Sequence, residues 1–329
     1  MTGSLASRIF SAKDPEEFDR LARDIFGHQA EHNQVYKDYL RALGPDITHS
    51  PGIERIPFLP VGFFKNHKII TGSGAPEIVF ESSGTTGTVP ARHFVTDLNI
   101  YRESFVRTFR FFYGDPADYI ITALLPSYFE RGNSSLIFMV NELIKLSCSG
   151  QSGFYINKDA ELIKVLQSGI KSGRKCLLIG VSFALLDLAE KHHPDLSGAL
   201  VMETGGMKGR REEITRDELH KLLSQSLNAG PIHSEYGMTE LLSQAYSEAD
   251  GKFRCPPWMK VLLRDPLDPL SLLTETGRAG IINIIDLANI NSCSFLATDD
   301  IGRVHTDGSF EVLGRSDSSE MRGCNLMVQ

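Results

Sequence analysis

The stretch KCLLIGVSFALLDLAEKHHPDLSGALVMET, residues 175–204, decides the fold class. It opens and closes on short, nearly continuous apolar runs, KCLLIGV and ALVMET. Neither run alternates as a half-wet strand would, so both read as strands buried on two faces, which parallel sheets covered by helices provide. The segment after Val181 reads as a helix joining them. DYIITALL (residues 118–125) is a third run of the same kind, and EIVFE (77–81) reads as a strand that leads into a Gly/Ser/Thr loop. Residues 96–113 read as a helix with Tyr101, Phe105, Phe109 and Phe112 on one face, ending at Gly114. Thr215 and Glu218 have the spacing of a capping box, opening a helix with Leu219, Leu222, Leu223 and Leu227 inward. Strands alternating with helices predict an α/β fold with mostly parallel sheets flanked by helices.

The flanks differ. Asp14, Pro15 and Glu17 form a helix start, after which Phe18, Leu21, Ala22, Ile25 and Phe26 recur at helical spacing. A second helical run carries Val35, Tyr39, Leu40 and Leu43 and stops at Gly44 and Pro45. IPFLPVGFF (56–64) holds too much Pro and Gly for a regular element and reads as an ordered loop whose aromatics pack on the core. Beyond about residue 250 the pattern turns to β: AGIINIIDL (279–287), then a hairpin at Asp307 and Gly308. The expected organisation is a helical segment 1–75, an α/β region 76–250, a smaller β-rich region 251–313, and a hinge-like tail 314–329.

Composition limits the function classes. With 41% apolar residues, 23% charged and a net charge of −7, the 329-residue chain is that of a globular protein with a large core. No cationic excess is present to neutralise a nucleic-acid backbone. No stretch reaches the roughly 20 apolar residues that span a bilayer. The five cysteines, at 148, 176, 255, 293 and 324, show neither C-x-x-C nor zinc spacing, so a cytoplasmic protein with free thiols is expected.

Three glycine-bearing segments carry the chemistry. ESSGTTGTVPARH (81–93) follows a strand, and its backbone N–H groups and hydroxyls can wrap phosphate oxygens. It is not a Walker A loop, because no G-K-[ST] follows. METGGMKGRREE (202–213) follows a strand too, with Gly205 and Gly206 open to a flat ring or phosphate and Lys208 supplying charge. Arg210 and Arg211 read as a solvated charge run. HSEYGMTE (233–240) groups an aromatic, a glycine, a hydroxyl and a carboxylate, a set able to stack a base, touch a phosphate and hold Mg²⁺ through oxygen.

The order of these segments, together with ATDDIGRV (297–304) and EVLGRSD (311–317), resembles the acyl-adenylate-forming superfamily of acyl-CoA synthetases, luciferases and peptide-synthetase adenylation domains. IPFLPVGFFK, ESSGTTGT, METGGMKGRREEITRDEL, SEYGMTELLSQAY and GRSDSSEMRGCNL look closest to the acyl-protein synthetases of bacterial luminescence fatty-acid reductase complexes. The resemblance implies the large N-terminal domain of that fold, ATP and Mg²⁺ as cofactors, a fatty acid or other small carboxylic acid as substrate, and a partner such as an acyl reductase. It implies that Ser82, Ser83, Gly84, Thr85, Thr86 and Gly87 hold phosphates, and that Gly205, Gly206 and Tyr236 bracket adenine. Gly237, Met238 and Thr239 then complete the base-and-metal segment, Glu240 holds Mg²⁺, and Asp300 accepts from the ribose hydroxyls with Arg315 nearby.

Departures from that pattern bear on subtype. The phosphate loop lacks the usual following lysine, which leaves Arg92 as the nearby cation. Acyl-CoA synthetases continue past the hinge into a lid carrying a catalytic lysine, whereas here the last lysine is Lys260. The lid is therefore expected to be absent or vestigial, with Lys208 as a substitute. In the resembled synthetases a cysteine in an RGC-type segment near the C-terminus takes the acyl group as a thioester, and Cys324 in MRGCNLMVQ matches it. The other four cysteines read as structural.

Alternatives remain open at this level. One is an acyl-CoA ligase or other carboxylate-adenylating enzyme with a different acceptor. Another is a serine esterase, since strand, G-x-S-x-A and helix mimic a nucleophile elbow with Ser182 as nucleophile and His305 as a partner. A third is a nucleotide-binding protein without turnover.

Overall fold

The structure, a computed structural model, describes residues 2–12, 14–44, 52–82, 89–126, 133–206, 211 and 214–316. In chain order the first part holds α1 (Thr2–Ile9), α2 (Pro15–His32), α3 (Gln34–Leu43), β1 (Leu59–Pro60) and α4 (Phe63–Asn66). There follow β2 (Ile78–Glu81), β3 (Arg92–Val95), α5 (Leu98–Tyr113), β4 (Tyr119–Leu124), α6 (Ser135–Leu146), β5 (Gly153–Phe154) and α7 (Asp159–Lys171). Then come β6 (Lys175–Val181), α8 (Ser182–His192), β7 (Ala199–Thr204), α9 (Arg216–Ser226), β8 (His233–Tyr236) and β9 (Ala245–Ser247). The last strands are β10 (Met259–Arg264), β11 (Ala279–Asp286), β12 (Phe295–Val304) and β13 (Phe310–Arg315). Contacts divide the chain into two compact units: Pro76–Pro256 is one, and the segments before and after it together form the other.

In the unit made of the two flanking segments, β12 is the central strand. Its start pairs in parallel with β1, its end pairs antiparallel with β13, and β11 and β10 follow in order on its other side. The turn at Asp307 and Gly308 is the expected hairpin, with Val304 opposite Phe310. Helix α2 starts as its sequence predicts: Asp14 accepts from the N–H of Glu17, Pro15 occupies the first turn, and Phe18, Leu21, Ala22, Ile25 and Phe26 are buried. Gln29 joins them, because its amide donates to the carbonyls of Asn289 and Ile290 and so loses no hydrogen bonding on burial.

Two expectations in this unit are corrected. On α3 the buried residues are Tyr36 and Leu40 rather than the stripe from Val35 to Leu43. The Tyr36 hydroxyl donates to the Pro57 carbonyl at 2.6 Å and its ring stacks on Phe295, which turns the helix toward the tyrosine. IPFLPVGFF is not all loop: Leu59 and Pro60 pair in parallel with Leu296 and Ala297, and α4 follows. Pro60 is tolerated because β1 is an edge strand. Phe58 and Phe64 are buried, as expected.

The Pro76–Pro256 unit contains a six-stranded sheet of order β5-β4-β6-β7-β8-β9, parallel except for β9. The three apolar runs are β4, β6 and β7, adjacent and parallel. β2 and β3 form a separate antiparallel pair, so the strand before the Gly/Ser/Thr loop is followed by a second strand. On α5 the buried face is Tyr101, Phe105, Phe109 and Tyr113, with Phe112 only partly covered. The Tyr113 ring packs on Tyr246 and His233, which draws position 113 inward at the helix end. Both partners of the Thr215–Glu218 capping box are in place; Leu219, Leu223 and Leu227 are buried, but Leu222 is exposed. Residue 222 lies only three positions past 219 and falls outside the narrow stripe that α9 turns to the sheet.

Candidate active site

Register aligns three strand ends in the Pro76–Pro256 unit. Val181 of β6 is opposite Thr204 of β7, and Thr204 is opposite Glu235 of β8. The residues that leave these strands are Ser182, Gly205 with Gly206, and Tyr236 with Gly237. They emerge side by side at the carboxyl edge of the parallel strands, which is where open α/β sheets bind ligands. β9 runs back beside β8, with Ala245 opposite Tyr236, so residues 237–244 form a loop at the same edge.

A buried carboxylate ties this edge together on one face. Glu203 is 3% exposed, and its carboxylate receives Arg216 Nε at 3.1 Å and the Ser182 hydroxyl at 3.3 Å. His220 Nε2 lies 3.6 Å from the same carboxylate and 3.2 Å from the Ser234 hydroxyl. Burial pushes the Glu203 pKa up, but the His220 ring and the Arg216 charge outweigh it, so the group sits below the ordinary carboxylate range. The Ser182 hydroxyl also reaches the Gly205 carbonyl at 2.9 Å. Gly205 has a φ of 65°, a left-handed conformation that glycine adopts without a Cβ clash.

Glu235 lies on the opposite face of the sheet, by strand alternation. It accepts the Thr204 hydroxyl and neighbours Tyr101, Tyr113 and Tyr246. Burial raises its pKa to about 7, with Glu203 adding to the rise against the Thr204 bond. Gly237 permits this arrangement: a Cβ there would lie 2.5 Å from Glu235 Oε1.

Tyr236 packs its ring edge-on to Phe253 with centroids 5.8 Å apart, and the Arg216 guanidinium lies 5.0 Å over the Phe253 ring. Met238 and Leu241 close a turn through a 3.1 Å backbone bond, and this turn carries Thr239 and Glu240, whose side chain is largely buried. His93 of β3 fixes it from outside the loop, with Nδ1 2.8 Å from the Thr239 carbonyl. Burial lowers the His93 pKa to about 4, with the Thr239 bond opposing.

Of the sequence-predicted residues, Gly205, Gly206, Tyr236, Gly237, Met238, Thr239 and Glu240 thus gather at one sheet edge. Ser82 directly follows β2, and its hydroxyl accepts the Ala91 N–H while its own N–H donates to the Ala91 carbonyl. Arg92 is exposed on β3, opposite Glu81 and 5.6 Å from the Phe94 ring centre. Asp300 and Arg315 belong to the other unit, where they face each other across β12 and β13 with Arg315 Nε 3.1 Å from Asp300 Oδ1. Ser83, Gly84, Thr85, Thr86, Gly87, Lys208 and Cys324 lie outside the described residues.

Arg211 is held by Asp187 and Glu190 of α8 in a surface ion-pair cluster, a structural role as its sequence suggested. Among the other cysteines, Cys176 and Cys293 are buried, and burial pushes the Cys293 thiol up to about 12. Ser182 does not have the setting of an esterase nucleophile. Its buried hydroxyl is engaged by the Glu203 carboxylate at 3.3 Å and the Gly205 carbonyl at 2.9 Å, and His305 lies 3.5 Å from Glu311. Sequence reading missed three residues: His93, Glu203 and Arg216. Only Glu203 left a signal, as an acid at the end of an apolar strand.

Among the described residues no group of three or more His, Cys, Asp or Glu is placed to hold a metal ion. Among the described residues no helix is long and apolar enough to cross a membrane.

Solved structures show the fold. The chain superposes on ATP-bound MatB from Rhodopseudomonas palustris with a TM-score of 0.55 at 16% identity, covering 74% of this chain and 49% of that one. The luciferase-like enzyme of the mealworm Zophobas morio matches with a TM-score of 0.51 at 17% identity, over 75% of this chain and 60% of that one. The fold is that of the adenylate-forming enzymes, and the chain spans about half the length of these solved relatives. The model of the LuxE acyl-protein synthetase family matches residues 10–329, so the chain belongs to that family of ligases. It is also similar to the long-chain-fatty-acid–luciferin-component ligase of Vibrio harveyi, 25% identical over 94% of this chain and 86% of that one.

Proposed function

We propose that the protein activates a fatty acid with ATP and Mg²⁺ and carries the acyl group as a thioester on Cys324 for delivery to a partner such as an acyl reductase. The observation that carries this reading is the family match across residues 10–329, which takes in every motif-bearing segment and the tail with Cys324.

In the first step a carboxylate oxygen attacks the α-phosphorus of ATP. An O–P bond forms, the bond to the β-phosphate breaks, and pyrophosphate leaves. In the second, the Cys324 thiolate attacks the acyl carbon of the mixed anhydride, the C–O bond to AMP breaks, and AMP departs. Both reactants of the first step are anions, so the site must offset their repulsion. Backbone N–H groups of residues 83–87 and the Arg92 guanidinium serve that end, and Lys208 is the further cation. Glu240 would hold Mg²⁺, which would supply neutralising charge to the phosphates. Gly205 and Gly206 form one wall of the adenine slot and Tyr236 the other, while Asp300 receives the ribose hydroxyls beside Arg315.

The test is incubation with ATP, Mg²⁺ and a panel of labelled fatty acids. A hydroxylamine-labile label on the protein is expected, lost in Cys324→Ser while pyrophosphate release persists. Label retained by Cys324→Ser removes the cysteine from the mechanism, and pyrophosphate release that no acid stimulates removes the adenylation.

A further inference from the structure

We propose that Arg216 is a positioning residue that sets the width of the adenine slot, by holding Glu203 behind one wall and Phe253 behind the other. The proposal rests on the slot assigned above to Gly205, Gly206 and Tyr236.

Two chains of contact meet at this one guanidinium. On one side Arg216 Nε binds Glu203 Oε1 at 3.1 Å, Glu203 Oε2 receives the Ser182 hydroxyl at 3.3 Å, and that hydroxyl also reaches the Gly205 carbonyl at 2.9 Å. On the other side the guanidinium lies 5.0 Å over Phe253, and Phe253 meets the Tyr236 ring edge-on at 5.8 Å. Glu203, Ser234 and Tyr236 share one face of the sheet by alternation and register, so both chains run along the same surface. The glycine wall and the aromatic wall are thereby coupled through a single side chain that need not touch the base.

Helix stability alone does not account for this arginine. Arg216 is the first residue of α9, directly after the Thr215 cap, and a cation there faces the positive end of the helix dipole. Helix starts favour the acids found at the next two positions, Asp217 and Glu218. The carboxylate of Glu203 offsets the misplaced charge, while Arg216 satisfies a carboxylate that would otherwise be buried with less compensation. The pair also explains why Ser182 donates inward toward Glu203 and Gly205.

Separate recognition of base and phosphates allows a test that a general loss of stability would not mimic. Adenosine and inorganic tripolyphosphate each compete with ATP, the first through the slot and the second through the phosphate loop. Their inhibition constants against fatty-acid-dependent pyrophosphate release are measured for wild type, Arg216→Met, Arg216→Lys and Phe253→Leu. A stacked, well-fitted base is worth about tenfold or more in affinity. The adenosine constant is therefore expected to rise about tenfold in Arg216→Met and Phe253→Leu, with tripolyphosphate unchanged and Arg216→Lys intermediate. Adenosine constants that stay at the wild-type value, or that rise in step with tripolyphosphate, overturn the positioning role. A wild-type protein that adenosine does not inhibit at all refutes the slot itself rather than the part Arg216 plays in it. Phe253→Leu keeps the test decisive if removing the Arg216 charge prevents folding.

Discussion

Nδ1 of His93 lies 2.8 Å from the backbone carbonyl oxygen of Thr239. A carbonyl only accepts, so the ring carries a proton on Nδ1, and burial, which lowers its pKa to about 4, keeps it neutral at pH 7. β3, which bears His93, begins just past residues 83–88, and Thr239 sits in the turn that carries Glu240. One buried ring therefore ties strand β3 to the turn that carries Glu240.

Removing that ring should loosen the turn. His93→Ala leaves the Thr239 carbonyl buried without this donor, at a cost of about 1–3 kcal/mol. We expect urea unfolding at pH 7 to shift by that amount and the KM for ATP to rise more than the KM for the fatty acid. The pH dependence has a defined sign. With a folded pKa of about 4 against 6.5 for a free histidine, the unfolded chain takes up the proton first. The stability contributed by neutral His93 is complete above pH 6.5 and is lost as pH falls toward 4, so the gap between wild type and His93→Ala should narrow over that interval. A gap that holds constant from pH 7 to 4 would show that the ring does not titrate as described.

Glu235 should act in the opposite direction. Its folded pKa of about 7 lies above the free value of 4.5, so the folded protein retains a proton that the unfolded chain releases. Stability is therefore greatest below pH 4.5 and is lost as pH rises through 7. Glu235→Gln keeps an acceptor for the Thr204 hydroxyl and cannot ionise. Its melting temperature is expected to match wild type near pH 5 and to exceed it near pH 8. Equal differences at the two pH values would mean that Glu235 is ionised throughout. Because the His93 and Glu235 windows overlap with opposite slopes, their effects partly cancel in the wild type and are read most clearly in the two variants.

Gly237 and Glu235 should be energetically coupled. A methyl group at position 237 would stand 2.5 Å from Glu235 Oε1 and 3.5 Å from Gln244 Cγ. Gly237→Ala is expected to cost about 1–3 kcal/mol, as overpacking of a filled site does. In a Glu235→Ala background the obstructing oxygen is gone and most of that cost should vanish. A double-mutant cycle from urea unfolding measures the coupling; additive effects would mean that the glycine is needed for something other than this close approach.

Local periodicity was the readable part of this chain. α2 buries the five apolar residues its spacing marks, and KCLLIGV and ALVMET are adjacent parallel strands because continuous apolar runs have few other homes. Errors arose where a distant partner chose between neighbours on one helix. Tyr36 displaced Val35 because its hydroxyl has the Pro57 carbonyl to meet, and Tyr113 displaced Phe112 because Tyr246 and His233 wait beside it. The glycine-rich segments were legible as motifs, since backbone that needs a positive φ, as at Gly205, leaves a compositional mark. Their supports were not: His93, Glu203 and Arg216 are ordinary residue types whose meaning comes from strand register. No pattern within a short window encodes that Thr204 ends opposite Glu235.

The division of the chain has a consequence for its synthesis. Gln29 of α2 bonds the carbonyl of Asn289, a partner 260 positions further along, and β1 pairs with the late strand β12. Neither contact can form until residue 289 and strand β12 have left the ribosome. Residues 76–256, by contrast, have all their sheet partners within one uninterrupted stretch. The usual order, in which the N-terminal domain folds first as it emerges, is then reversed: the middle of the chain can complete its structure while helices α2 and α3 still wait for their β partners. During that wait the apolar faces of those helices, with Phe18, Leu21, Ile25, Phe26, Tyr36 and Leu40, have not yet met the strands that cover them.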